Sequence, residues 1–138
     1  MQFTADRWNK EQWPNFSFNE VKCTHCGACD IDEQMMDSLQ GLRQALGFPL
    51  TMTSVYRCPR HPNEVSKERP GTHTMGKACD IACSHTEAFL ILSRADAHGF
   101  TGIGISQKGD PSKRFIHLDI ANEADLDQRA PRPTVWSY

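Results

Sequence analysis

No stretch of this chain stays apolar for long. The longest run is Ala88-Phe89-Leu90-Ile91-Leu92, and a helix that crosses a bilayer needs about twenty such residues. An excess of positive charge is missing too. Fifteen Lys and Arg stand against seventeen Asp and Glu, a net charge of −2, so neither DNA nor an anionic membrane surface is an expected partner. There is no internal repeat and no low-complexity segment. The start, Met1 to Asp6, lacks basic residues followed by an apolar stretch, so no secretory signal is expected. What is present is an ordinary globular mix, 38% hydrophobic and 23% charged over 138 residues. That is enough for one domain with one core, expected to be a monomer.

Cysteine is not scarce. Residues 23, 26, 29, 58, 79 and 83 are Cys, and Cys23-Thr24-His25-Cys26-Gly27-Ala28-Cys29 packs three of them beside a histidine. Cys-x-x-Cys is both a zinc half-site and a redox motif. Three outcomes are open: free thiols in a turn, a second and structural zinc on Cys23, Cys26, Cys29 and His25, or a disulfide. A chain without a secretory signal is made in a reducing compartment, which suits the disulfide least.

Residues 1–29 read as an aromatic and Cys-rich arm, 30–120 as the core and 121–138 as a tail. Phe3, Trp8, Trp13, Phe16 and Phe18 should pack the arm down by their rings. Asp32 is a good N-cap and Gly47 a good stop, with Met35, Leu39, Leu42 and Leu46 on one face of the helix between them. Residues 49–56 read as a strand and 57–76 as a long loop of the kind that carries function. Lys77–Ala82 reads as a second strand. Ser84–Gly99 reads as a second helix with a Ser84/Glu87 capping box and an apolar face of Phe89, Leu92 and Ala95 to Ala97. Residues 102–106 and 114–120 complete the strands. The fold class is α+β: helices on one face of a small, mostly antiparallel sheet.

Strand alternation separates the functional faces. In the last strand Ile116, Leu118 and Ile120 share an aliphatic face, leaving Phe115, His117 and Asp119 on the other. In the strand before it, Cys79, Ile81 and Cys83 point one way, and Asp80 the other among Ala78 and Ala82. His73 ends the long loop, seven residues before Asp80. Two His and one carboxylate, with a fourth position left for water, are what a catalytic zinc takes. Asp80 alone cancels metal charge in such a set, so the ion keeps net charge with which to acidify water.

Thr53-Ser54-Val55-Tyr56-Arg57-Cys58-Pro59-Arg60-His61 resembles the T-S-x-Y-R-C-P-x-H segment of the peptidase M15 family, subfamily A type. His73-Thr74-Met75-Gly76-Lys77-Ala78-Cys79-Asp80-Ile81 is similar to its H-x-x-G-x-A-x-D-I zinc motif, and Gly102 to Gly104 and Phe115 to Asp119 to its G-x-G and F-x-H-x-D elements. Order and spacing agree over residues 30–120. The family comprises zinc D-alanyl-D-alanine carboxypeptidases and peptidoglycan endopeptidases, many of them phage lysis enzymes, with the fold of the hedgehog zinc domain. The resemblance implies His73, Asp80 and His117 as ligands of one catalytic Zn2+. It implies Arg57 as the substrate arginine and peptidoglycan peptides as substrate. His61 and Trp136 are further candidates for the substrate cleft.

Two departures leave the proton acceptor open. The Glu that several branches place three residues before the last His is Arg114 here, and the first His of the His-x-His in others is Phe115. Asp119 is the first choice as base, with orientation of a ligand His its alternative role; Asp110 comes third. The alternative function is a non-catalytic zinc domain that binds cell wall or belongs to a phage particle. A protein of this kind, made in the bacterial cytoplasm without a signal, is expected to reach the wall after holin release or from a virion.

Overall fold

The computed structural model describes residues 2–138. Among these residues three α-helices pack against one five-stranded sheet. The helices are α1 (Phe18–Val21), α2 (Glu33–Leu46) and α3 (His85–Ala95). The strands are β1 (Thr51–Ser54), β2 (Ala78–Ala82), β3 (Gly102–Ser106), β4 (Phe115–Asp119) and β5 (Thr134–Ser137). Their spatial order is β1-β2-β4-β3-β5, antiparallel except for the β3/β5 pair. The expected α+β class holds. Among the described residues no helix is long and apolar enough to cross a membrane.

Helix α2 forms as its sequence dictates. The Asp32 carboxylate accepts from the Gln34 and Met35 N–H groups, and Gly47 closes the other end at φ 76°. Met35, Met36, Leu39 and Leu42 are fully buried. Ile81, Ile116 and Leu118 bury the opposing sheet face, with Ile91 of α3 also in the core. The arm is ordered onto this core. Trp13 and Phe16 are fully buried, Trp13 Nε1–H donates to Asp37 of α2 (2.9 Å), and Ser17 with Glu20 forms a capping box that starts α1.

Three expectations need correction. Residues 49–56 form a strand only over Thr51–Ser54, where they pair with β2; past it the Tyr56 N–H turns away to the Val21 carbonyl, and the strand carries an irregularity between Met52 and Ser54. The Ser84/Glu87 capping box is not made: Ser84 has no side-chain cap bond, and His85 enters α3 at φ 50°, a left-handed step that reorients the first turn. The helix is α only to Ala95, then tightens to 3-10 over Asp96–His98, and its buried face is Ala88, Ile91 and Ala95 while Phe89 is exposed. Small Ala side chains let α3 lie close to its neighbours, and this outweighs the area Phe89 would bury. The tail adds β5, which the alternation in Thr134-Val135-Trp136-Ser137 could have signalled.

Candidate metal centre and its cleft

The sheet register builds the site. Ser54 pairs with Asp80, Asp80 with His117, His117 with Gly104 and Gly104 with Trp136. Directly paired residues lie on the same face, so a row of side chains crosses the sheet opposite the aliphatic core. His73 joins this row from the loop, its ring 5.2 Å from that of His117. Its Nδ1–H donates to the Val55 carbonyl (2.7 Å), which leaves Nε2 with its lone pair 3.3 Å from Asp80 Oδ1. His117 is held the other way round. Its Nε2–H donates to Asp119 Oδ2 (2.8 Å), which turns Nδ1 to within 3.1 Å of the same Asp80 oxygen. Two imidazole nitrogens and one carboxylate thus lie within 4.8 Å of one another.

That arrangement fits a bound cation by its donor set. With the outer nitrogen of each ring committed as a donor, three lone-pair atoms face one another. Two nitrogens and one oxygen are the ligand types zinc takes at a catalytic site. The imidazoles and carboxylates of the site also support one another's charge. Burial acts to raise the Asp80 carboxyl, but hydrogen bonds and charge from His117 and His73 outweigh it and hold the group well below the usual carboxylate range. Burial acts to lower His117, yet its bonds to Asp119 and Asp80 pull it up. Asp119 is pushed up by burial and brought below its ordinary value by His117 and Arg132.

Asp119 lies on the far side of His117 from Asp80. It is 0% exposed and clamped by Arg132, whose Nε donates to Oδ1 (3.1 Å) and Nη2 to Oδ2 (3.0 Å), with the Ala121 N–H also on Oδ1. The glycines opposite make the space. A Cβ on Gly102 would overlap the Asp119 carboxylate, and one on Gly104 would stand 2.7 Å from Trp136 Nε1. The bare Gly104 rung lets the Trp136 ring come within 5.3 Å of His117.

Arg57 flanks the site and is fixed on three sides. Nε donates to Ser54 Oγ (2.8 Å), Nη1 to Glu64 (3.3 Å) and Nη2 to Asp80 Oδ2 (3.2 Å). Glu64 is buried and also accepts from Lys67 (3.0 Å) and Thr74 (3.1 Å). Arg57 and Lys67 join His73, Asp80 and His117 in bordering an open cleft of about 440 Å³ whose other wall is aromatic: Phe115, Trp136 and Tyr138. Sequence reasoning missed Glu64 and Arg132. Nothing in the pattern separates Glu64 from Glu68 in the same loop, or Arg132 from Arg129 in the tail.

The remaining candidates fall outside the cleft. His61 does not line it; its Nδ1 accepts from the Asn63 N–H (3.1 Å), and its ring stands 6.2 Å from that of His25. Asp110 caps the turn before β4 through Ser112. Cys79 and Cys83 are buried in the core, away from Asp80's face. The expected set Cys23, Cys26, Cys29 and His25 is not what comes together. Cys29 is buried apart, where burial pushes its thiol up to about 11. Cys58 takes its place beside Cys23 and Cys26. A turn brings Cys58 there from the far side of β1, and a reading confined to local spacing cannot see it.

An α+β fold that sets two His and one Asp at the floor of an arginine-flanked cleft offers the donor set of a metal site. The comparison with protein families makes this specific: residues 14–119 match Peptidase M15, and the chain belongs to that family. No curated protein matches it.

Proposed function

We propose that the chain is a zinc peptidase that hydrolyses peptide bonds in peptidoglycan stem peptides, with His73, Asp80 and His117 as the zinc ligands. The observation that carries this is the convergence of three lone-pair atoms from those residues, beside Arg57, in a chain of the M15 family. A zinc ion there would supply Lewis-acid polarisation of a water and of the scissile carbonyl. The chain's own residues do the rest. Val55 and Asp119 hold the outer protons of the two imidazoles, on Nδ1 of His73 and Nε2 of His117, and so aim the inner nitrogens. Arg57 keeps N–H groups free beyond the three it uses, enough to grip a peptide carboxylate or carbonyl in a fixed orientation. Phe115, Trp136 and Tyr138 give the peptide an apolar wall.

Asp119 supports the reading as the residue that orients His117 rather than as the base. Both of its oxygens are engaged, and it stands behind the ring. One observation favours a second reading, a non-catalytic wall-binding domain: Asp80 and Asp119, the carboxylates that line the cleft, both carry an arginine partner, so neither rests unpaired among the described residues. Digestion of purified muropeptides by the zinc-loaded protein, followed by mass spectrometry, decides. Release of D-alanine or cleavage within the stem supports the peptidase and identifies the bond. Intact muropeptides that nevertheless bind support the second reading. Cell-wall action after holin release or from a virion, by a monomer, belongs to the same proposal.

A further inference from the structure

We propose that Cys23, Cys26 and Cys58 hold a second, structural zinc ion, with an imidazole of the His25 and His61 pair as its fourth ligand. The three Sγ atoms lie within 4.8 Å of one another. Tetrahedral thiolates around zinc, each at about 2.3 Å, stand about 3.8 Å apart, so the cluster is already close to the needed spacing. The set is two half-sites of equal spacing, Cys23-x-x-Cys26 and Cys58-x-x-His61. Cys3His is one of the structural zinc ligand sets.

The backbone is arranged for it. Residues 23–28 form a tight turn, with Gly27 N–H donating to the Cys23 carbonyl (2.8 Å) and Cys23 N–H to that of Ala28 (2.7 Å). Gly27, at φ 79°, has open space where a Cβ would be. The turn aims the N–H groups of His25 and Cys26 at Cys23 Sγ, and the Cys58 N–H reaches the same atom at 3.3 Å. The His25 and His61 rings come from the two half-sites and meet at 6.2 Å. Cys29, Cys79 and Cys83 join no such cluster; they are dispersed in the apolar core.

The consequence is mechanical. Cys58 follows Arg57 directly, and Tyr56 N–H already donates to the Val21 carbonyl (3.0 Å). An ion at this cluster would tie the N-terminal turn to the chain that presents Arg57, at a point distinct from the His73, Asp80 and His117 cleft.

The test is metal content and spectrum of the full chain, produced with zinc and in parallel with cobalt. Two ions per wild-type chain and one in His73→Ala are expected. The cobalt form of His73→Ala should keep a thiolate-to-cobalt charge-transfer band in the near ultraviolet, which two imidazoles and a carboxylate cannot give. Cys58→Ser should lose that band. Should Cys58→Ser fail to fold, the wild type decides: native thiols should titrate with three more reactive groups after a strong chelator than before. A wild-type cobalt protein without the band would overturn the proposal. So would a band that survives Cys58→Ser, or a non-reduced mass lighter by two hydrogens, the mark of a disulfide among these thiols.

Discussion

The two groups of metal-type side chains are built by different means. The His73, Asp80 and His117 cleft rests on strand register: adjacent rungs of β2 and β4 put Asp80 and His117 side by side, and hydrogen bonds to Val55 and Asp119 set each ring. The thiol cluster rests on two turns, 23–28 and the start of the 57–76 loop, that no shared strand aligns. Register fixes position through many cooperative bonds, so the cleft can keep an open coordination position without collapsing. Turns lack that support and need a cross-link of their own. An open site suits catalysis and a closed one suits structure.

The largest expected effect separates the two groups outright. His117→Ala should take muropeptide hydrolysis to background and remove the cleft metal, while the thiol-linked band stays. Loss of both signals together would mean that the two sites are one folding unit. Next in size is Arg57→Lys. Lysine keeps the charge but cannot span Ser54, Glu64 and Asp80 with a planar fork. Turnover should fall about 10²–10³-fold, the usual cost of one oriented donor to a developing charge, with zinc content nearly unchanged and the melting temperature lowered by the lost contact to Glu64. Wild-type rates in this variant would remove Arg57 from the chemistry.

What could be read from the sequence divides along the same line. The alternation in Phe115-Ile116-His117-Leu118-Asp119 assigns its faces correctly because Ile116 and Leu118 demand the core, and Asp32 with Gly47 marks α2 because cap chemistry is local. Helix α3 was misphased since Phe89 looks like a core residue until the close packing permitted by Ala88 and Ala95 is known. Cys58, Glu64 and Arg132 were illegible for one reason. Each acts on a partner 7 to 35 residues away through a loop or tail, whose path no periodicity encodes. The exchange of Cys29 for Cys58 is the clearest case: nearness in sequence pointed to the first, and a turn delivers the second.

Asp119 offers a sharper cut within the cleft. Asp119→Asn keeps shape but offers His117 Nε2–H a weaker acceptor and Arg132 an uncharged partner. A residue that orients a ligand histidine costs about 10–100-fold in metal affinity when lost. Activity of Asp119→Asn should therefore be low at limiting zinc and return as zinc is raised. A rate that stays down about 10²–10⁴-fold at saturating zinc would instead mark Asp119 as the base, against the geometry that puts it behind the ring.

The smallest effect is a pH dependence located at Glu64, which borders neither group of ligands but holds Arg57 between them. Burial acts to raise the Glu64 carboxyl, and hydrogen bonds and charge from Lys67, with bonds from Thr74 and Arg57, bring it below its ordinary 4.5. A carboxyl lowered by folding stabilises the native state fully above its unfolded value, and that stabilisation is lost as pH falls through the folded value. Lys67 is 48% exposed, so its pair is partly screened, and the buried contact to Arg57 carries more of the effect. Glu64→Gln keeps the shape and cannot ionise. Its melting temperature should lie below wild type at neutral pH, and the gap should narrow as pH drops past 4.5 because the wild type alone loses this contribution. Asp80 and Asp119 titrate in both proteins and largely cancel in the difference. Thermal melts of metal-free wild type and Glu64→Gln across that range provide the check. A gap that stays constant with pH would mean Glu64 acts by packing alone, and Arg57 would then owe its position to Ser54 and Asp80.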